Sequence, residues 1–332
     1  MSLKKIADKL GISVATVSRA LNGQETVSQA TRERVFNAAQ RMGIQPNALA
    51  SRLKMGKTNA IALVYPNRLD VLDDSSLLQM VNMISMKLSN HHLDFLLLSC
   101  EIDGDLGSLE RLVESRRVDA VLAAHTLPQD PRLEYLQKQR FPFLALGRSR
   151  LSQPYAWFDF DNHAGTTLAT AYLIELGHRR IAFLSTDYPL SYAEQRLQGY
   201  GDTLRKHALF DDRYIIKTAA SRRGGYLAMK RLLALTVRPT AVITDCNMLG
   251  DGAAIAIEEW GASHHEEISL ISYDGLPEDS LASIPVTAIV QSTRNKVGQQ
   301  IVEMLLRLLN GDNPETLQVL WQPELSCGKA EP

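Results

Sequence analysis

The sequence contains few cysteines, 3 in 332 residues. Cys100, Cys246 and Cys327 lie far apart and form no C-x-x-C pair, so neither a disulfide framework nor a zinc site is expected. No apolar run approaches the thickness of a bilayer, and the polar N-terminus does not resemble a signal peptide. These absences predict a cytoplasmic protein with no membrane partner.

Signatures of catalysis are also absent. The chain has no Walker loop, no G-x-S-x-G elbow and no H-E-x-x-H helix. The pairs His91-His92 and His264-His265 are adjacent, so on a helix their side chains point apart and make poor metal ligands. We therefore expect no enzyme, no metal site and no cofactor.

The charge is unevenly distributed along the chain, although the net charge is only −1. Residues 1–57 contain ten Lys and Arg against three acidic residues, whereas the remainder contains 26 basic and 34 acidic residues. A cationic N-terminal segment on an acidic body is expected when one end of a protein meets phosphates.

Two short helices joined by a turn are predicted near the N-terminus. Gly11 stands where a helix end favours a left-handed residue, and Ser13 is a good N-cap for the next helix. Apolar residues recur at helical spacing in both segments: Ile6, Ala7 and Leu10, then Val17, Ala20 and Leu21. The outward face of the second helix carries short residues and one long cation, as suits a DNA major groove: Val14, Ala15, Thr16, Ser18 and Arg19.

Four further runs extend this pattern: Thr16-Val17-Ser18-Arg19-Ala20-Leu21-Asn22, Val27-Ser28, Thr31-Arg32-Glu33-Arg34-Val35 and Pro46-Asn47-Ala48-Leu49-Ala50. In this order they resemble the headpiece of the lactose-repressor (LacI/GalR) family, without a gap from Leu3 to Leu53. The resemblance implies a helix-turn-helix domain over residues 1–46. The implied DNA contacts are Lys4, Ser13, Val14, Ala15, Thr16, Ser18, Arg19, Asn22, Ser28 and Thr31. Ser28 and Thr31 begin a helix predicted over about 28–42, where Ser28 serves as an N-cap and the free amides hold a phosphate.

Residues 47–59 are predicted to be a hinge helix and linker. Residues 47–54 allow about two helical turns, too few to be stable alone in water. The resemblance implies that this hinge folds on operator DNA, with Leu53 wedged between base pairs and Ala50 at the contact between two copies. Asn47, Arg52 and Lys54 complete the predicted contacts. The alternative is that Leu53 is an ordinary packing residue between domains.

From Ala60 onward, apolar strands alternate with helices, which predicts an α/β core over 60–332. The first strand, Ile61–Tyr65, is continuously apolar, as buried parallel strands are. We expect two doubly wound parallel-sheet lobes joined by crossovers, with a cleft at the strand carboxyl ends. This matches the periplasmic-binding-protein-like core that the resemblance implies. The predicted first lobe comprises about 60–159 and 290–317, and the second comprises 160–289 and 318–332.

The resemblance continues into the cleft. Arg196 and Asp274 match a guanidinium and a carboxylate that together grip a vicinal diol, although the two could instead pair with each other. Phe160 matches an aromatic wall, and Tyr65, Trp157 and Tyr192 are further candidates to stack on a sugar, although each could equally be a core residue. The full set of predicted effector contacts is Tyr65, Asp73, Asp74, Arg148, Phe160, Arg196, Cys246 and Asp274. Two positions depart from relatives: Cys246 stands where the family often has an asparagine, and Gly147-Arg148 replaces the acidic residue that one sugar repressor of the family uses.

The predicted function is therefore a sequence-specific transcriptional regulator, a repressor of a carbohydrate-utilisation operon, bound to the nucleoid when on its operator. A small sugar controls it, and short stretches favour the α-glucoside-responsive branch, with a purine or nucleoside effector as the alternative. Effector binding would change the hinge geometry with a coupling of about 1–3 kcal/mol. The expected assembly is a homodimer on a pseudo-palindromic operator, because no heptad tail follows the last strand. A transport-linked solute-binding protein shares this core but would need a signal peptide and no headpiece.

Overall fold

A computed structural model describes residues 3–21, 26–42, 57–67, 75–101, 105–264 and 267–326. The chain divides into two compact units: the first comprises Met1–Asn59 and the short segment Arg116–Asp119, and the second comprises Ala60–Ser115 and Ala120–Pro332. Among the helices of the described residues, none is both long enough and apolar enough to cross a membrane.

The described residues of the first unit form three helices: α1 (Leu3–Leu10), α2 (Val14–Leu21) and α3 (Gln29–Arg41). Gly11 follows α1 with a φ of 63° and open space around it, so it fills the left-handed position predicted there. The Ser13 hydroxyl accepts a hydrogen bond from the Thr16 amide at 3.0 Å and caps α2. The buried core is built from aliphatic side chains of all three helices and the loop before α3: Ile6, Ala7, Val17, Ala20, Val27, Val35, Ala38 and Ala39.

The second unit contains two lobes, and the first is a parallel six-stranded sheet with the strand order β11-β5-β4-β3-β1-β2. Every residue of β1 is buried, as its apolar sequence requires. The strands are β1 (Ala60–Pro66), β2 (Asp94–Cys100), β3 (Ala120–Ala123), β4 (Phe143–Leu146), β5 (Ala156–Phe160) and β11 (Gln318–Trp321). The helices are α4 (Ser75–Ser89), α5 (Gly107–Glu114), α6 (Pro131–Lys138) and α11 (Arg294–Leu309).

The second lobe repeats this plan with the strand order β12-β10-β9-β8-β6-β7, in which β12 alone runs antiparallel among the described strands. Its strands are β6 (Ile181–Thr186), β7 (Ile215–Thr218), β8 (Ala241–Thr244), β9 (Ser269–Tyr273), β10 (Thr287–Val290) and β12 (Glu324–Ser326). Its helices are α7 (Asn162–Glu175), α8 (Ser191–Lys206), α9 (Arg222–Leu233) and α10 (Asn247–His264). The predicted fold class is confirmed.

Over the part of the core that the structure describes, the chain crosses between the lobes three times, after β5, after β10 and after β11. The lobe boundary predicted after residue 317 is wrong, because β11 pairs with β5 in the first sheet, Gln318 opposite Trp157 and Trp321 opposite Phe160. The crossing falls instead between Trp321 and Glu324, where β12 joins the second sheet beside β10. The physical reason is that a short final strand can complete either sheet edge, and its own pattern does not choose between them.

Candidate functional site

The face of α2 that points away from the headpiece core is open to solvent. Val17 and Ala20 are fully buried, whereas Val14 is 44% exposed. Ala15 and Arg19 are exposed beside it, and Thr16 and Ser18 are half-buried. Small side chains with one arginine allow a helix to approach base edges closely, so this exposed face has the composition of a helix that reads a DNA major groove. Lys4 is exposed on α1.

The N-terminus of α3 is a further part of the headpiece that has the chemistry to bind a DNA phosphate. The Ser28 hydroxyl accepts from the Thr31 amide at 3.4 Å and lies 2.9 Å from the Thr31 hydroxyl, while its carbonyl accepts from the Arg32 amide. Ser28 therefore caps the helix. The positive end of the helix dipole lies beside it and favours an anion.

In the second unit, the central side chain of the candidate cleft is Arg196 on α8, which is 5% exposed. Its Nε donates to the Asn162 side-chain oxygen at 2.8 Å, and its Nη1 donates to the Asp245 carbonyl. Its guanidinium lies 3.3 Å from the ring centre of Tyr273 and 4.5 Å from that of Tyr192. Two aromatic faces and two oxygens thus fix the orientation of a buried cation.

Asn162 connects Arg196 to the first lobe. Its Nδ2 donates to Asp159 Oδ1 at 3.2 Å and to the Phe160 carbonyl at 3.0 Å. The other carboxylate oxygen of Asp159 accepts from Arg148 Nε at 2.8 Å, and Arg148 Nη2 donates to Gln195 Oε1 on α8 at 3.1 Å. A continuous polar network therefore links the two lobes through charged hydrogen bonds.

Burial dominates the electrostatics of this network. Desolvation raises the pKa of Asp159, against the opposing effect of Arg148. Desolvation also raises the pKa of Asp245, and it raises the pKa of Tyr273 to about 12. These groups are held in a site from which water is largely excluded, where a bound ligand would meet strong, fixed polar groups.

Further contacts cross between the lobes at the N-terminal turns of α8. The Ser191 amide donates to the Thr126 carbonyl at 2.8 Å, and Arg150 pairs with Glu194 at 3.1 Å. The first-lobe side of this contact is held by Arg132, a fully buried residue that donates to the Asp130 carboxylate at 2.7 Å and to the Ala124 and His125 carbonyls. The start of α8 thus lies against the carboxyl end of the first sheet.

Asp274 follows β9 and is exposed, with a left-handed φ of 61°. Its amide donates to the Ile289 carbonyl at 2.9 Å, which holds the turn in place. Aspartate tolerates this left-handed conformation better than most residues, so the turn after β9 is compatible with the side chain that it carries.

Comparison with known proteins places this geometry in a family. Residues 2–47 match the bacterial regulatory proteins of the lacI family, and residues 58–324 match the periplasmic binding proteins and sugar binding domain of the LacI family. The chain belongs to the LacI family. It is 50% identical to the HTH-type transcriptional regulator RafR of Escherichia coli over 324 residues, which covers 97% of this chain and 96% of that protein.

Two solved structures of LacI-family proteins resemble the whole chain. The crystal structure of the lac repressor dimer bound to operator and the anti-inducer ONPF has a TM-score of 0.83 at 25% identity, covering 99% of this chain and 98% of that one. The complex of the transcriptional regulator CelR with cellobiose has a TM-score of 0.72 at 26% identity, covering both chains completely. The predictions of a LacI-family fold, of a transcriptional regulator and of a protein that is not an enzyme are confirmed.

Of the other effector contacts predicted for this LacI-family protein, two are buried in the first lobe and one is half-buried in the second. Tyr65 is 9% exposed and packs on Leu77, and Phe160 is 8% exposed and meets the rings of Phe158 and Trp321 edge-on. Cys246 is half-buried after β8. The predicted DNA contacts Asn22, Asn47, Ala50, Arg52, Leu53 and Lys54, and the predicted effector contacts Asp73 and Asp74, lie outside the described residues.

Four polar residues around Arg148 and Arg196 have no role that their sequence pattern alone assigns: Asp159, Asn162, Gln195 and Asp245. A signal was present for two of them. Asp159 interrupts the aromatic run of β5, and Asp245 directly follows the apolar strand β8, which is where open α/β sheets place ligand groups.

Proposed function

We propose that this protein is a homodimeric repressor that binds pseudo-palindromic operator DNA and is controlled by a saccharide held between the lobes of the core. The observation that carries the proposal is the joint presence of an exposed groove-binding face on α2 and a buried, oriented Arg196 facing the carboxyl ends of the second sheet. Such a regulator meets its DNA in the cytoplasm, at the nucleoid.

The DNA-reading role of α2 follows from its chemistry. Val14 and Ala15 offer apolar contact to thymine methyl groups, and the exposed Arg19 reaches guanine. Lysines and arginines of the headpiece supply salt-dependent affinity for phosphates. The lac repressor, which resembles this chain over nearly its whole length, was solved as a dimer on its operator.

The proposed switch lies in residues 47–54, which form a hinge that orders on DNA. Leu53→Ala should weaken operator binding, because its side chain would wedge into the minor groove, while ligand affinity of the core stays unchanged. Equal loss of both affinities would contradict the hinge assignment.

The effector is proposed to be an α-glucoside disaccharide. A guanidinium donates to one hydroxyl of a vicinal diol and a carboxylate accepts from its neighbour, and Arg196 and Asp274 supply these groups. Tyr192 offers an aromatic face against the same guanidinium. A related regulator, CelR, was solved in complex with the disaccharide cellobiose.

Thermal shift measurements on the full chain test the effector class, because a ligand that binds only the folded state raises the melting temperature. The panel comprises maltose, sucrose, melibiose, cellobiose, glucose, galactose, adenosine and hypoxanthine. We expect an α-glucoside of the panel, maltose or sucrose, to stabilise the wild type. Stabilisation by melibiose, an α-galactoside, and by neither α-glucoside would contradict the α-glucoside assignment. Stabilisation by a purine compound alone would contradict the saccharide assignment.

Arg196→Ala should abolish the stabilisation, since it removes the central donor of the cleft. The matched control is Arg205→Ala, which lies on the same helix but is exposed and pairs with Asp202. If Arg196→Ala responded to the ligand as the control does, the cleft assignment would be wrong.

A further inference from the structure

The second lobe contains a buried carboxylate for which the predicted cleft has no use. Asp245 follows β8 and is fully buried. Its Oδ2 accepts from the Ser185 hydroxyl at 2.9 Å and from the Thr186 amide at 2.7 Å, so one oxygen caps the end of the neighbouring strand β6.

The second oxygen is different. Among the described residues, Asp245 Oδ1 has no hydrogen-bond partner, although the thiol of the neighbouring Cys246 lies close enough to lower the pKa of the carboxyl slightly against the effect of burial. A thiol is a weak donor. Buried acceptors without a proper donor are rare in native proteins and destabilise them, so each one calls for an explanation.

The position of Asp245 supplies that explanation. It stands at the carboxyl ends of two adjacent parallel strands, β6 and β8, where open α/β sheets bind ligands. Its backbone carbonyl accepts from Arg196 Nη1, so the residue that carries the carboxylate is in direct contact with the cleft arginine. The positive charge of Arg196 also acts on the carboxyl group itself and opposes the effect of burial on its pKa.

We propose that Asp245 determines effector specificity, its Oδ1 accepting a hydrogen bond from a hydroxyl group of the bound saccharide beside the Arg196 guanidinium. This assignment rests on the proposed saccharide-controlled function. Asp245 is inaccessible to solvent in the conformation described, so a ligand reaches Oδ1 when neighbouring side chains and lobes move apart. The competing view is that Asp245 serves only to cap β6.

Asp245→Asn separates the two views. An asparagine keeps the shape and retains one oxygen for Ser185 and Thr186, but it removes the charge and replaces the acceptor at Oδ1 with an NH₂ donor. The matched control is Asp251→Asn on α10. Asp251 is equally buried in the same lobe, but both of its oxygens are bonded, one to Arg222 at 2.6 Å and the other to Ser280.

The first measurement is the melting temperature of the free full-length protein. If Asp245 is kept for a ligand, removing its buried charge leaves the melting temperature unchanged or raises it by about 2–4 °C. Asp251→Asn should lower it, because a satisfied ion pair is broken. A fall in Asp245→Asn as large as that in Asp251→Asn would show a structural carboxylate and overturn the proposal.

The second measurement is the stabilisation by the same panel of maltose, sucrose, melibiose, cellobiose, glucose and galactose. We expect Asp245→Asn to bind the saccharide that stabilises the wild type at least about 10-fold more weakly, and Asp251→Asn to bind it normally. Unchanged binding by Asp245→Asn overturns this proposal alone. A wild type that no saccharide stabilises overturns the proposed effector class, and this assignment with it.

Discussion

Replacing Asn162 by alanine should destabilise the core more than any surface change of the same size. Asn162 is 2% exposed, and its side chain is the shared partner of a buried cation and a buried carboxylate. Alanine removes the acceptor of Arg196 Nε and the donor to Asp159 Oδ1. A hydrogen bond to a charged group contributes about 1.5–3 kcal/mol, so losing two should lower the free energy of unfolding by about 3 kcal/mol or more.

Urea denaturation followed by tryptophan fluorescence measures the free energy of unfolding of the second unit, which contains Asn162. All 3 tryptophans, Trp157, Trp260 and Trp321, lie in the core, so the headpiece contributes no signal. The matched control is Asn310→Ala at the end of α11, an exposed position where a change within about 0.5 kcal/mol is expected. If Asn162→Ala lost less than about 1 kcal/mol, the network would not be held together by this amide.

Two further predictions concern packing and pH, and the same fluorescence assay measures both. Gly252→Ala should lower the free energy of unfolding by about 1–3 kcal/mol, because a Cβ there would overlap the Arg222 carbonyl where α9 and α10 cross. In the control Gly201→Ala, the new Cβ meets the flexible end of the Arg205 side chain, so the stability should stay unchanged or rise. Equal effects would contradict the close helix crossing. Burial lowers the pKa of His178 below 6.5, so its contribution to stability is present above pH 6.5 and is lost as the pH falls further. Between pH 7.5 and 5.5, the free energy of unfolding should therefore fall less in His178→Gln than in the wild type. An equal fall in both proteins would show that His178 does not have a lowered pKa in the folded state.

Much of the fold could be predicted because many of its strands and helices carry a strong local pattern. The apolar run of β1 and the apolar residues at helical spacing in α2 identify their elements without tertiary information. The last two strands do not carry such a pattern. β12 has only three residues and depends on pairing with β10, and β11 is an edge strand that fits either sheet by its own sequence. Which edge a short strand joins depends on long-range pairing.

The candidate site could be predicted only in part for a related reason. Arg196 stands in a recognisable motif, but its partners Asn162 and Asp245 come from two other elements, and their convergence is a property of the folded lobe. Phe160 fits an aromatic wall in the sequence, yet its ring packs edge-on against Trp321, which is distant in the chain. The sequence pattern identifies the type of residue and its place at the end of a strand, whereas tertiary packing determines which side chains contact each other.

The central claim is that a saccharide in the core changes how the headpieces hold DNA. The direct measurement is fluorescence anisotropy of an operator selected from random DNA by the wild-type protein, titrated with and without the saccharide that stabilises the core. We expect the saccharide to change the operator affinity of the wild type by about 5–150-fold, and Arg196→Ala to lose this change while keeping the ligand-free affinity of the wild type. An operator affinity that the saccharide leaves unchanged, or a full response in Arg196→Ala, would contradict this control of DNA binding.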